Sequence, residues 1–189
     1  MPNINHSTLT DPFLHEPKGV AAAAVNQVYV SDGAASGAWT NLARAVRTTG
    51  AADQTITAGV LTILDFDTTE FNTGGYTVAG TGRITVPATG TYLITAGVTV
   101  EATVSALTSA IFVITVNAEV VASSNFDHTL SAASTSALNC STIISLTASD
   151  VVDCRLIATG VGVPVVRNTP TFVGLTATQV NHLALQRFA

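Results

Sequence analysis

Residues 91–101 read TYLITAGVTVE, and their side chains alternate in character along the stretch. In an extended chain the apolar residues at positions 92, 94, 96, 98 and 100 share one face, whereas Thr95, Thr99 and Glu101 share the other. Alternation over this length predicts a β-strand with one buried face. The preceding RITVP, at residues 83–87, predicts a short strand that ends at its proline.

The rest of the chain from residue 52 onward is built from similar segments. Each is short and rich in apolar or β-branched residues, and none carries a convincing helical period. Turn sequences at residues 117–118 and 147–150 predict two hairpins. The segments are residues 55–64, 109–116, 119–122, 141–146, 151–157, 171–176 and 180–185. Their order predicts an all-β fold, an antiparallel jelly-roll sandwich.

The first 50 residues have a different composition. They hold three prolines and no long apolar pattern, so residues 10–18 are expected to form an extended arm. Residues 27–40 contain a turn signal between two short strand-like stretches and predict a small β-hairpin. We therefore predict an N-terminal anchor arm with a hairpin at residues 1–50, followed by a jelly-roll domain at residues 51–189.

The composition argues against several classes of function. Only 10% of the residues are charged, and 7 Lys and Arg face 12 Asp and Glu, for a net charge of -5. Because the chain has a single lysine, Lys18, we expect no nucleic-acid binding. No run of about 20 apolar residues predicts a membrane span. The N-terminus shows no secretion signal, so Cys140 and Cys154 are expected to be free thiols in a protein made in a reducing cytoplasm.

Two of the predicted strands are apolar on both faces. These are residues 60–64, VLTIL, and residues 111–116, IFVITV. One face of each is expected to join the core, and the other needs either a subunit interface or complete burial inside a monomer. We favour the interface, and the side chains assigned to it are those of Leu61, Ile63, Phe112 and Ile114.

The polar residues form no recognisable catalytic or metal-binding pattern. Asp65, Asp67 and Glu70 offer oxygen ligands, but they lack the glycine and the terminal glutamate of an EF-hand loop, which favours a solvated loop over a calcium site. Asp153 and Arg155 share a strand face and predict a weak exposed ion pair. The histidines and cysteines match no nucleophile–base arrangement. We therefore expect no enzyme, no cofactor and no bound metal.

Several of these segments resemble the globular-head domain of complement and tumour-necrosis-factor-like proteins. The resemblance is carried by a strand that ends in proline, a short glycine turn and a tyrosine that opens the next strand, together with the later hairpins. Ala118 and Ser149 stand where that family often has glycine. The matching residues are 71–76, 82–94, 116–121, 146–151 and 170–174. The resemblance implies a ten-stranded jelly roll that forms a tight homotrimer.

The N-terminal part is similar to segments of tailed-bacteriophage virion proteins, at residues 11–20, 28–33 and 37–40. An anchor arm joined to a trimeric jelly roll resembles a phage head decoration (cement) protein. Such a protein would be made in the host bacterial cytoplasm and would bind the major capsid protein on the outer surface of the capsid. An alternative is a receptor-binding tip or adhesin module that uses loops such as residues 123–136. The expected capsid-docking residues are Phe13, Leu14, His15, Glu16, Pro17, Lys18, Tyr29 and Trp39.

Overall fold

A computed structural model describes residues 27–31, 37–41, 44–168, 171–172, 175–176 and 181–188. Within these ranges all regular secondary structure is β-strand. The chain divides into two units, Met1–Ala43 and Arg44–Ala189. The predicted docking residues from Phe13 to Lys18 lie outside the described residues, and so does the rest of the expected arm.

Seventeen strands are found in the described part of the chain. In chain order they are β1 (Gln27–Ser31), β2 (Gly37–Asn41), β3 (Arg44–Thr49), β4 (Gln54–Thr55), β5 (Thr62–Ile63), β6 (Thr68–Asn72), β7 (Thr77–Val78), β8 (Ile84–Thr85), β9 (Gly90–Ala102), β10 (Leu107–Val116), β11 (Glu119–Phe126), β12 (Ser134–Leu146), β13 (Val151–Gly160), β14 (Pro164–Val166), β15 (Thr171–Phe172), β16 (Leu175–Thr176) and β17 (His182–Arg187).

In the first unit, β1 and β2 pair as an antiparallel hairpin. Tyr29 lies opposite Trp39, and the two rings meet edge to face with their centroids 5.5 Å apart. Aromatic cross-strand pairs of this kind stabilise a two-stranded sheet. The small hairpin predicted within residues 27–40 is therefore confirmed.

Two antiparallel sheets form the second unit. In the first sheet the strands run in the order β11-β10-β13-β8-β7, and β5 also pairs with β13. The second sheet has the order β4-β14-β9-β17-β3-β6, and β12 lies on the free side of β9. The remaining strands, β15 and β16, pair with each other. This two-sheet arrangement confirms the predicted all-β sandwich.

The hydrophobic core lies between the two sheets. The alternating stretch of β9 behaves as predicted, since Tyr92, Ile94 and Val100 are fully buried. Phe112 and Ile114 of β10 are also fully buried inside the chain. Their assignment to a subunit interface is therefore wrong, because neither side chain has any surface left for a partner.

The jelly roll begins earlier in the chain than residue 51. Strand β3 lies between β17 and β6 in the second sheet, and its Val46 is fully buried. Residues 44–49 thus belong to the sandwich, and the two units meet between Ala43 and Arg44. The sequence AVRTT hides this strand because it carries only one large apolar side chain.

The sandwich has a proximal end and a distal end, which differ in the connections between the strands. At the proximal end β9 begins, β3 enters at Arg44, and turns at residues 86–89, 117–118 and 147–150 connect the strands. At the distal end β9 finishes, and the connections there are the loops at residues 56–61, 103–106, 127–133 and 160–163.

Candidate functional site: the interaction surfaces

The outer face of the second sheet carries small and apolar side chains. Strand register places Ala45, Gln186 and Leu93 in one row across β3, β17 and β9, and continues the row to Ile143 of β12. Ile143 is 66% exposed. A shallow groove of about 110 Å³ runs over this face. Its lining residues are Ala45, Val46, Phe71, Leu93, Thr95, Ala184, Leu185 and Gln186.

This surface, here called the second-sheet face, is nearly free of charge at its centre. The ion pair at its border joins Arg47 Nη1 to Glu70 Oε2 over 3.0 Å, which leaves neither charge without a partner. Phe71 is 45% exposed next to Arg47. Apolar centres with paired charges at the rim are typical of surfaces that bind another protein.

Of the other predicted interface residues, Ile63 lies on β5 in the first sheet, and Leu61 lies in the loop before that strand. Ile63 pairs with Arg155 of β13, which in turn pairs with Val113 of β10, so the three side chains share the outer face of that sheet. Leu61 is 46% exposed. Both residues are therefore available at a surface, whereas Phe112 and Ile114 are not.

A buried carboxylate lies near the centre of the outer face of the first sheet. Asp153 is only 3% exposed. It accepts hydrogen bonds from Thr115 Oγ1 at 2.5 Å and Arg155 Nε at 2.8 Å, and Arg83 Nε lies 3.6 Å away. The hydrogen bond to Asp153 raises the pKa of the Arg155 guanidinium. The expected ion pair exists, but it is buried and not exposed as predicted.

A second ion-pair network links three distant parts of the second sheet. Arg167 donates two hydrogen bonds to Glu101, each 2.7 Å long, and one to Asp53 at 2.5 Å. Asn168 N also donates to Asp53 Oδ1. Burial raises the pKa of Asp53, but the hydrogen bonds from Arg167 and Asn168 outweigh it and leave the pKa below its usual value. Sequence reasoning missed this network because the partners lie 66 and 114 positions apart.

The thiols are shielded from reaction. Cys140 and Cys154 are both free, and Cys154 is fully buried. Burial raises the pKa of Cys140 to about 11 and that of Cys154 well above its usual value. Since the thiolate is the nucleophilic form, neither residue is activated at neutral pH.

Within the acidic segment at residues 65–70 only residues 65–67 form a loop, since β6 begins at Thr68 and contains Glu70. Asp67 Oδ1 accepts a hydrogen bond from Ala51 N at 2.9 Å, and Asp65 N donates to Gln54 Oε1 at 3.0 Å. Glu70 pairs with Arg47. Among the described residues, no group of three His, Cys, Asp or Glu side chains is placed to hold a metal ion. Across the residues that the structure describes, no helix is long and apolar enough to cross a membrane.

Comparison with solved structures supports the fold. The structure of Eiger TNF from S. frugiperda aligns with a TM-score of 0.53 at 13% identity, over 79% of this chain and 94% of that one. Murine APRIL at pH 5.0 aligns with a TM-score of 0.52 at 12% identity, over 77% of this chain and 98% of that one. The predicted jelly roll of the tumour-necrosis-factor type is thus confirmed.

The sequence itself matches no family model and no curated protein. The globular domain of a zebrafish complement 1qA protein aligns with a TM-score of 0.47 at 12% identity, over 76% of this chain and 93% of that one. That likeness is too distant to add to the fold assignment.

Proposed function

We propose that this chain is a non-enzymatic structural protein of a tailed bacteriophage, which binds the outer surface of the head as a homotrimer and stabilises it. The observation that carries the homotrimer is the second-sheet face, where small and apolar residues line a shallow groove and the exposed Ile143 lies opposite Leu93 of that groove. Small side chains let another subunit approach closely, and such a face is costly to leave in water. The resemblance of the first unit to phage virion segments carries the capsid role.

Trimer formation supports capsid binding through avidity. Each subunit contributes one N-terminal segment, so the second and third segments bind at high effective concentration once the first has bound. Individually weak contacts, such as those proposed for Tyr29 and Trp39, then add up to stable attachment. The major capsid protein is the proposed partner.

Replacing Ile143 with aspartate tests the trimer. Because Ile143 is 66% exposed, the change is expected to leave the fold of one chain intact while placing a charge on the second-sheet face. Light scattering coupled to gel filtration should give the mass of three chains for the wild type and of one chain for the variant. The matched control is Val120→Asp at the proximal end, 58% exposed, which should remain trimeric. If Ile143→Asp stays trimeric at all concentrations, this result would contradict the second-sheet face as the trimer interface.

Capsid binding is tested by removing residues 1–43. The deletion must stop there, because Arg44–Thr49 is the strand β3 of the second sheet. The truncated protein should remain a folded trimer and fail to bind purified heads. Normal decoration by the truncated protein would refute the role of the N-terminal segment.

Counting the protein in purified virions separates the two candidate roles. Quantitative mass spectrometry should find tens to hundreds of copies, in ratio with the major capsid protein. A handful of copies would instead support a receptor-binding tip, and absence from virions would refute both roles.

A further inference from the structure

The distal end of the jelly roll concentrates exposed aliphatic side chains. Six large hydrophobic residues that are at least 41% exposed lie there or on the adjoining strands, and we call this set the distal patch. Its members are Val60, Leu61, Val104, Ile111, Val161 and Val163. In the described part of the second unit, the other exposed large hydrophobic residues are Phe71 and Ile143 on the second-sheet face and Val120 and Phe188 at the proximal end.

Backbone hydrogen bonds fix the distal loops to one another and to the end of β13, which keeps the residues of the patch at one end of the sandwich. Gly59 N donates to Ala158 O at 2.8 Å, Thr103 N to Val163 O at 3.2 Å, and Gly162 N to Ala106 O at 3.2 Å. On the outer face of the first sheet Ile111 pairs with Ile157, and Leu61 lies in the loop two residues before Ile63 of β5. The patch therefore extends from the loops onto the first sheet.

The side chains of Val104 and Val161 do not hold the loops in place. Val104 is 72% exposed and Val161 is 89% exposed, so their side chains add little to the core. The loops are instead fixed by main-chain contacts. Large aliphatic side chains that are exposed without a structural task are characteristic of a binding surface.

The distal loops themselves carry little charge, and the three charged residues at their borders, Asp53, Glu101 and Arg167, form the ion-pair network described above. Residues 54–64, 102–118 and 156–166 contain no charged side chain, and the fourth distal loop, residues 127–133, contributes only Asp127 and His128. The chain as a whole carries a net charge of -5. Two copies of an acidic protein repel each other over most of their surface, but not where both surfaces are neutral.

We propose that the distal patch pairs two copies of this protein end to end. Interfaces between copies of one chain are more apolar than those between different proteins, and the patch consists only of valine, leucine and isoleucine side chains. It also lacks the aromatic and basic residues with which proteins enter a lipid surface. A second copy is the occupant that fits a neutral, aliphatic surface.

Pairing at this end leaves the entry point of the jelly roll free. Arg44 lies at the proximal end, where it pairs with Arg187. The patch is separate from the second-sheet face, so pairing does not depend on the proposed homotrimer. Single chains would pair into dimers, and trimers would pair into hexamers.

Light scattering over a range of concentrations tests the pairing on the full-length chain. The wild-type mass should double as concentration rises, from three chains to six or, if the trimer proposal fails, from one chain to two. In the variant Val104→Ser/Val161→Ser the doubling should require at least tenfold higher concentration. The matched control is Val120→Ser, which alters a valine of similar exposure at the opposite end and should double like the wild type.

Two further measurements complete the test: the effect of salt on self-association, and binding to lipid vesicles. Apolar association strengthens in sulfate, whereas charge pairing weakens as salt screens it. A wild-type mass that never doubles, a double variant that pairs as well as the wild type, or pairing that salt weakens would each overturn the proposal. Binding of the wild type to phosphatidylcholine vesicles without any self-association would overturn it in favour of a lipid surface.

Discussion

The two ends of the jelly roll are stabilised by different parts of the chain. At the proximal end side chains tie the turns together: Asn117 Nδ2 donates to Asp150 Oδ1 at 2.8 Å, and Thr147 N donates to Asp150 Oδ2 at 2.8 Å. At the distal end the loops meet mainly through main-chain hydrogen bonds. Polar side chains therefore hold the proximal turns together, whereas the aliphatic side chains of the distal patch are left exposed.

The largest effect on stability is expected from adding a methyl group at Gly160, which lies between the distal loops. Gly160 has a φ of 134°, and a Cβ there would lie 2.7 Å from both Ala106 O and Leu107 Cα. Gly160→Ala combines this overlap with a backbone conformation that favours glycine, and it should destabilise the fold by about 3 kcal/mol. Urea unfolding measures the change. A loss below about 1 kcal/mol would show that the distal loops do not depend on close main-chain contact.

At the proximal end the side chain itself should matter. Asp150→Ala removes the acceptor for both Asn117 Nδ2 and Thr147 N and should cost about 1–2 kcal/mol in the same assay. Asp150→Asn keeps one acceptor oxygen and should cost less. Equal losses in the two variants would contradict the role assigned to these hydrogen bonds.

Alkaline pH should weaken the proximal end through Tyr76. Its hydroxyl donates to Arg44 O at 2.8 Å, and burial raises the pKa of Tyr76 to about 12 from 10.0. Because the folded pKa is the higher one, this stabilisation is complete below pH 10 and is lost as pH rises through 12. Tyr76→Phe should cost about 1 kcal/mol at pH 8, and the difference from the wild type should shrink between pH 10 and 12. If the difference in unfolding free energy between the wild type and Tyr76→Phe stays constant from pH 10 to 12, ionisation of Tyr76 does not weaken the proximal end.

A stabilising change is expected at the turn between β10 and β11. Asn117 and Ala118 have φ values of 50° and 72°, a conformation that disfavours a side chain with a Cβ. Ala118→Gly should stabilise the protein by about 0.5–1 kcal/mol. Ala148→Gly, in another proximal turn but without positive φ, should give no gain. Similar gains from both variants would show that strain at Ala118 is not the cause.

The smallest effect should come from the exposed distal valines. Val104→Ser/Val161→Ser should change the free energy of unfolding of the unpaired protein by less than about 0.5 kcal/mol, because both side chains are mostly in water. Thermal unfolding at low protein concentration measures this. A large loss would mean that the valines support the loops, which would remove the contrast between the two ends.

Local sequence patterns predicted those features of the fold that depend on residues close together in the chain. The alternation at residues 91–101 identified β9, and turn residues identified the hairpin at residues 117–118. The hairpin predicted at residues 147–150 is wrong: a turn is present there, but β12 pairs with β9 and β13 pairs with β10, so this turn connects the two sheets. Glycine-like strain at Ala118 and Ser149 was also visible, since both have positive φ. What depends on distant neighbours was missed. The partners of Arg167 and the strand β3 are defined only by pairing across the sheet.

The error at Phe112 and Ile114 has the same origin. In residues 111–116 both faces are apolar, and Phe112 and Ile114 belong to the face that packs in the core. On the outer face Val113 lies between Ser123 and Arg155 and Thr115 bonds Asp153, so only Ile111 is left exposed. A short apolar run cannot distinguish cover by neighbouring strands from cover by another subunit. The candidate interaction surfaces are therefore identified by the exposure of side chains in the folded chain and not by the composition of the strands.

The position of β3 has a consequence for how the protein is made. This strand, Arg44–Thr49, pairs with β17, His182–Arg187, near the end of the chain. At a synthesis rate of roughly 5–20 residues per second, β3 leaves the ribosome about 10 s before its partner exists. During that delay it can pair with β6, Thr68–Asn72, which follows it closely. The second sheet is thus completed only after residues 182–187 have left the ribosome, and the arrival of β17 is its last step.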